Sequence, residues 1–445
     1  MNLKLLRSHW VFILILSVSL LTRLALIAVP AMPVFDEVVY AVDAYNMAYL
    51  TPAPVQSQFL GHPIAVAGAT YDFTEIYGNY SLGQDFNIEH PPLAKAIMAL
   101  SVRVFSPNVV SYFWLRVPSV IMSMAALIGL YGIALLFVER KFASLAALIL
   151  SFDILFWVHS RFALLDIYML GFMIMGMWLM LKASTQQVTH YRAYMGSSII
   201  FFAAATLSKV LGIAGFFIIA LYLLIQNRSW ATLKKLIWQV TLLFIVTSVG
   251  YTVLLQFFGL SHNPITQFNL MNYGLYARQN WKLVLVLGVA PISQPWDWLF
   301  NEKAIHYAYV YDPTTAMSMI DIWGRINPAI IFAAIPMLIL SAYLMIGKKD
   351  KLSTLCFIWF MAMWLPYIIP TWLGQEQFLH HMLAAIFPLT LMIANWLRTQ
   401  HKFFVLGYTA FVIGAWIWYY PYAYLWLYLF NTSPYTLPAL NFFGF

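Results

Sequence analysis

Pro33-Val34-Phe35-Asp36-Glu37-Val38-Val39-Tyr40 sets two adjacent carboxylates a few residues past the first long apolar run of a chain that is 62% hydrophobic and only 9% charged. That composition points to a membrane protein, so the 445 residues are better counted in spans than in soluble domains. Crossing the hydrocarbon core takes roughly 20 apolar residues. Eleven candidates are visible, at about residues 10–30, 112–138, 142–158, 163–182, 194–209, 211–226, 236–258, 327–346, 353–370, 377–396 and 403–422. The fold expected is an all-α membrane protein, one integral-membrane domain over residues 1–445, with the acidic pair at the mouth of its first span.

Charge sets the orientation. With a cytoplasmic amino terminus and eleven alternating spans, the cytoplasmic segments hold 14 of the 24 basic residues against two acids, Glu139 and Asp350. The net charge of +8 then divides into +12 inside and −4 outside, with Asp36, Glu37 and the carboxy terminus on the extracytoplasmic side. The basic balance is thus a topology signal and implies no nucleic-acid partner. Lys4 and Arg7 precede an apolar segment with no small-residue cleavage site, which reads as a retained anchor. The lone Cys356 can form no intrachain disulfide.

Two regions, about 31–111 and 259–326, do not span and form the outer loops. In the first, Val38, Val42, Tyr45 and Tyr49 recur at helical spacing, as do Leu93, Ile97, Leu100 and Val104, the pattern of helices lying on a membrane surface. The second carries Trp296, Trp298, Tyr307, Tyr309 and Tyr311, which suit a headgroup-level aromatic belt.

An ionisable side chain at the end of an apolar span is a site hypothesis by default. These residues gather on the predicted outer half: Arg23, Asp36, Glu37, Glu89, His90, Lys95, Arg116, Asp153, His159, Arg161, Asp166, Lys209, and later His262, His306, Arg325, Glu376, His380 and His381. A transporter or lipid flippase would place such groups near the midplane with access to both sides, so the one-sided set favours chemistry at the outer rim. Carboxylates beside Arg and Lys suit a displacement in which a base takes a proton from an acceptor hydroxyl while cations hold an anionic leaving group. No P-loop, GxGxxG after a strand, HExxH or nucleophile elbow is present, and the His residues lack metal-ligand spacing.

Taken in order, six strings resemble the protein O-mannosyltransferases, membrane enzymes of the glycosyltransferase C (GT-C) class. They are Phe35-Asp36-Glu37-Val38, Glu89-His90-Pro91-Pro92-Leu93-Ala94-Lys95, Leu115-Arg116-Val117-Pro118, Ser160-Arg161-Phe162-Ala163-Leu164-Leu165-Asp166, Leu207-Ser208-Lys209-Val210-Leu211-Gly212 and Gln294-Pro295-Trp296-Asp297-Trp298. The resemblance runs from about Arg23 to about residue 396 and implies a GT-C fold with an outward-facing site. It implies a polyprenyl-phosphate sugar donor, transfer of mannose to Ser or Thr of a protein, and a compact, prokaryotic type of member. A more distant resemblance to the lipid A aminoarabinose transferases leaves a lipid or glycan acceptor open. So does the stretch from Thr371 to His381, where the family carries an Arg before its Phe and Tyr-His pair.

The resemblance implies a role for each residue. Asp36 is the expected general base, against the alternative that it only caps the following helix. Glu37, about 100° round that helix, is a supporting or acceptor-binding carboxylate. Arg116 and Lys209 are expected on the donor phosphate, against interfacial snorkelling. Glu89, His90 and Lys95 line or support the site, and Arg161 and Asp166 support the outer loop; five residues apart, they do not bridge on a regular helix unless Arg161 precedes it. No cofactor is required by this pattern. A divalent cation on Asp36 and Glu37 remains open, with no further ligand set visible.

Overall fold

The computed structural model describes residues 8–31, 33–48, 64–66, 69–71, 90–107, 111–185, 190–258, 293–312, 317–372 and 377–420. Glu89, Gln375 and residues 259–292 lie outside them. In chain order the elements are α1 (Trp10–Leu24), α2 (Glu37–Ala48), β1 (Ile64–Val66), β2 (Ala69–Tyr71), α3 (Leu93–Phe105), α4 (Tyr112–Ala134), α5 (Arg140–Ser151), α6 (Ile154–His159), α7 (Leu165–Thr185) and α8 (Tyr191–Ser208). A 3-10 turn, Val210–Ile213, leads to α9 (Ala214–Gln226) and α10 (Trp230–Phe258). The remainder is α11 (Pro295–Trp298), β3 (Ile305–Asp312), β4 (Met317–Gly324), α12 (Pro328–Lys348), α13 (Lys351–Trp364), α14 (Ile368–Trp372), α15 (Leu383–Leu397) and α16 (Lys402–Trp418).

Each of the eleven apolar stretches contains helix. Among the described residues six helical segments are long and apolar enough to cross a membrane, while Trp10–Leu24, Val210–Gln226 and Lys402–Trp418 are shorter. The third stretch is not one helix. It breaks at Phe152-Asp153, because Asp153 turns its carboxylate to cap α6, accepting from the Phe156 N–H (2.8 Å) and the Asn327 N–H (2.9 Å). The two antiparallel hairpins, β1–β2 and β3–β4, are additions that the helical reading did not contain.

At the centre α7 packs between α4 and α8. The approach to α4 is close: a Cβ added to Gly132 would meet the Trp178 ring at 2.3 Å. Small residues let helices interlock where water gives no hydrophobic drive. Large apolar side chains face outward instead, with Phe244 73%, Ile346 75% and Trp418 82% exposed. Surfaces of this kind are covered by lipid, and the chain is a multi-pass membrane protein. Surface helix α3 follows the same logic: Leu100 and Val104 face out, while Ala94, Lys95, Met98 and Ala99 face the protein.

The helix ends sort into two sets. At one, Arg398 pairs with Glu139 at the start of α5 (3.3 Å), and His9 at the start of α1 meets the Tyr131 hydroxyl near the end of α4 (2.6 Å). The other end gathers the mouths of α2, α4, α7 and the 3-10 turn after α8 with the β3–β4 hairpin.

Candidate active site

Everything at that second end is built around the connection from α1 to α2. Helix α1 stops at Leu24, and its last carbonyls, like those of the turn that follows, have no helical partners. Arginines supply them. Arg23 donates to the Ser19 carbonyl and hydroxyl, to the Ser160 hydroxyl (2.7 Å) and to the Ser151 carbonyl (3.1 Å). Arg161 donates to the carbonyls of Thr22 (3.0 Å), Ala25 (2.6 Å) and Leu26 (2.7 Å). Arg116 takes those of Ile27 (3.0 Å) and Pro30 (2.9 Å). All three side chains are fully buried.

Arg116 also grips Glu37 bidentately, Nε to Oε1 and Nη2 to Oε2, both at 2.8 Å. Glu37 then accepts the Ala163 N–H (3.0 Å) on Oε1 and the Val34 N–H (3.1 Å) on Oε2. Both partners have no exposed side-chain surface. The sequence reading put Arg116 on a donor phosphate and gave Glu37 a supporting or acceptor-binding role. In this structure the two are committed to each other and to the loop backbone, since a buried charge is tolerated only when paired and hydrogen-bonded. Both carboxylate oxygens of Glu37, which the sequence reading joined to Asp36 as a possible cation ligand, accept from Arg116. Among the described residues no group of three or more His, Cys, Asp or Glu could hold a metal ion.

Asp36 is placed differently. Its carbonyl accepts from the N–H groups of Val39 (3.0 Å) and Tyr40 (3.2 Å), so it does stand at the start of α2 as a capping residue. Its side chain stays half-buried, with the Tyr40 hydroxyl at 3.5 Å from Oδ2. The His90 ring lies 6.2 Å from the Tyr40 ring, which brings His90 into the neighbourhood of Asp36. The preceding residue, Phe35, has φ 49°, a left-handed conformation that a bulky residue adopts only under constraint. Its ring packs on Tyr307 (4.8 Å) and edge-on to His380 (5.4 Å).

The second half of the site comes from α7 and α8. Helix α8 ends at Ser208, and Lys209 is extended (φ −157°, ψ 131°) before the 3-10 turn, which is why its side chain leaves the bundle wall. Its Nζ donates to Asp166 Oδ1 at 2.7 Å, with 15% of the Lys209 side chain and 11% of the Asp166 side chain exposed. One of three ammonium donors is so used. Arg161 precedes α7 and is engaged with the carbonyls of the α1–α2 connection.

Lys95, expected to line the site, lies buried against Asp43 (3.4 Å) and ties α3 to α2. Sequence reasoning left Tyr307 in the aromatic belt. The structure buries it: its hydroxyl meets His159 Nε2, and burial, with the charges of Asp36 and Asp166, raises its pKa well above the usual phenol value. It therefore stays a protonated donor, felt by carboxylates from both halves of the site. The alternation Ile305, Tyr307, Tyr309, Tyr311 was the available signal of a strand. Residues 293–298 join here as well, because Ser293 pairs with Gln377 (2.9 Å) and Trp298 stands 6.0 Å from the His381 ring.

Gly324 is what lets Tyr307 lie so close, since a Cβ there would sit 2.3 Å from Tyr307 Cε2. Gly324→Ala is expected to lower thermal stability in detergent by about 1–3 kcal/mol, the usual cost of overpacking. Gly196→Ala, with nothing within 4 Å of the added carbon, should be neutral or stabilising.

The structure is a multi-pass membrane bundle with carboxylates and cations concentrated at one end. The model of the family described as dolichyl-phosphate-mannose-protein mannosyltransferase matches residues 89–252. That segment holds Lys95, Arg116, Arg161, Asp166 and Lys209, while Asp36 and residues 294–298 lie outside it. The structure is similar to the protein O-mannosyltransferase Pmt1–Pmt2 complex of S. cerevisiae bound to the sugar donor (TM-score 0.70, 12% identity, 95% of this chain and 90% of that one). It is also similar to ArnT from Cupriavidus metallidurans bound to undecaprenyl phosphate (TM-score 0.57, 15% identity, 90% of this chain and 62% of that one). The Archaeoglobus fulgidus oligosaccharyltransferase in complex with Zn and sulfate is a third (TM-score 0.56, 17% identity, 92% and 53%). The chain thus spans less than two thirds of the length of the last two. A search of curated sequences finds no match. The fold is the GT-C glycosyltransferase fold, and the chain is protein O-mannosyltransferase-like in that fold and over the matched segment.

Proposed function

We propose that the chain is an inverting glycosyltransferase that moves mannose, or another hexose, from a polyprenyl-phosphate donor to a Ser or Thr hydroxyl of a protein on the extracytoplasmic face. The observation that carries this reading is the difference between two neighbours: Glu37 is buried and held by four hydrogen bonds, while Asp36 is half-buried at the start of the same helix, its charge and that of Asp166 both acting on Tyr307. Asp36 takes the proton of the acceptor hydroxyl as its oxygen attacks C1. The bond from C1 to the phosphate oxygen breaks on the opposite face, and the departing phosphate monoester is held by Lys209. A phosphate leaves as a stable anion and needs charge neutralisation more than protonation. Asp166 fixes the ammonium without consuming its remaining donors. The basic helix ends then face the cytoplasm, which sets the site outside.

The test is reconstitution of the purified protein in vesicles with mannosyl phosphoryl polyprenol and, side by side, a Ser/Thr-containing peptide and a lipid acceptor, followed by product analysis. Mannosylated peptide with the inverted anomer is expected. Sugar found only on lipid would change the acceptor, as the likeness to ArnT allows, and solute or lipid movement without any covalent product would indicate a transporter. Lys209→Met should weaken binding of the donor, and of bare polyprenyl phosphate, by about tenfold or more. That is the value of one charge-assisted hydrogen bond.

A further inference from the structure

We infer that the eight residues His159–Asp166 form a single gauge that fixes Asp36 relative to Lys209, and that Arg161 is its positioning residue. The inference rests on the transfer reading above. Six of the eight residues of this short turn each reach a different part of the site. His159 holds the Tyr307 hydroxyl, the Ser160 hydroxyl accepts from Arg23, and Arg161 binds three carbonyls of the α1–α2 connection. The Phe162 ring lies 4.8 Å under the Arg116 guanidinium, the Ala163 N–H holds Glu37, and Asp166 holds Lys209. Thus the loop carrying the base and the cation facing the leaving group are pinned to the same few residues of backbone.

Arg161 is the member whose action is most concentrated. Its guanidinium is fully buried, lies 4.6 Å over the Trp157 ring, and so does not itself meet substrate. Its three acceptors are the carbonyls of residues 22, 25 and 26, where the chain leaves α1. Leu26 is left-handed, with φ 56°, and Phe35 at the far side of the same loop is left-handed too. Such conformations persist only where the surroundings over-determine them. The planar fork of an arginine can span three divergent carbonyls, which an ammonium on a flexible stem cannot hold with the same geometry. Loosening it frees the segment that ends at Asp36, and a displacement of 1 Å in a reacting group is worth about 100-fold in rate.

The experiment uses the full-length protein in vesicles with mannosyl phosphoryl polyprenol. Arg161→Lys is expected to lower the transfer rate constant by about 100-fold while the donor KM moves less than about twofold. Amide hydrogen exchange in residues 22–31 and 33–37 should rise in the same variant. In an Asp36→Asn background, adding Arg161→Lys should cost nothing further in residual rate, because both changes then remove one function. A purely structural arginine would instead give additive losses, and that additivity would overturn the proposal. So would unchanged exchange in the loop, or a loss confined to donor KM. Arg161→Gln, which strands no buried charge, serves if the lysine variant fails to fold, with the same expectations. Should Asp36→Asn alone transfer as fast as the parent, the base reading fails, while the exchange measurement still decides whether Arg161 holds the loop.

Discussion

Asp36→Asn is expected to leave a folded protein that transfers sugar about 10²–10⁴-fold more slowly, the range over which a positioned general base acts. The variant separates the two readings of this residue with unusual clarity. As a helix cap, Asp36 works through its backbone carbonyl, which accepts from Val39 and Tyr40, and Asn ranks with Asp at that position. Its side chain is half-buried, and the Tyr40 hydroxyl stands at the long distance of 3.5 Å. Replacing carboxylate by amide keeps the shape and the backbone hydrogen bonds at the start of α2 and removes the basicity. Thermal stability should move by no more than about 0.5 kcal/mol, as for surface positions without a special role. The measurement is a single-turnover transfer rate in vesicles, paired with a melting curve. A capping residue alone would give the parent's rate. A variant that melts early and transfers slowly would mean that Asp36 holds the loop and not the proton.

How far the site could be read from the sequence depends on how locally each residue acts. Asp36, Asp166 and Lys209 stand at helix ends, so apolar runs interrupted by a charge mark them directly. The pairing of Lys209 with Asp166, 43 residues away, is beyond any periodicity. Glu37 and Arg116 were visible as charges, but their partnership, across 79 residues, was not, and it is the partnership that decides their role. Tyr307 went unread for a different reason: in a membrane protein an aromatic in an outer loop has a ready explanation at the headgroup level. The hairpin register, with Ala308 opposite Ile322 and Ile305 opposite Gly324, sets β3 beside β4, which packs on α6, and so brings Tyr307 to His159. The eleven apolar stretches were legible because lipid demands length, whereas the break at Asp153 depends on Asn327, 174 residues on.

Arg116→Met is expected to destabilise the protein by about 3–5 kcal/mol, the cost of removing one partner from a buried ion pair. This loss should exceed that of any other single change considered, because four arginine hydrogen bonds end at once and a buried Glu37 carboxylate is left without its cation. The phosphate-ligand reading of Arg116 makes the opposite forecast. There the variant would melt with the parent and lose affinity for bare polyprenyl phosphate, as Lys209→Met should. Melting in detergent together with polyprenyl-phosphate binding in vesicles at low temperature thus distinguishes the two roles. The double variant Arg116→Met/Glu37→Leu sharpens the result. Replacing a whole buried pair by apolar residues of similar volume is often neutral, because both desolvation costs vanish together. Here recovery should be only partial, since the carbonyls of Ile27 and Pro30 and the N–H groups of Val34 and Ala163 would lose their buried partners. Each such orphan costs about 1–3 kcal/mol unless water reaches it. Full recovery would mean that the pair is an isolated bridge and that Arg161 suffices to hold the α1–α2 connection. Partial recovery would place the same pair at the root of the loop that presents Asp36.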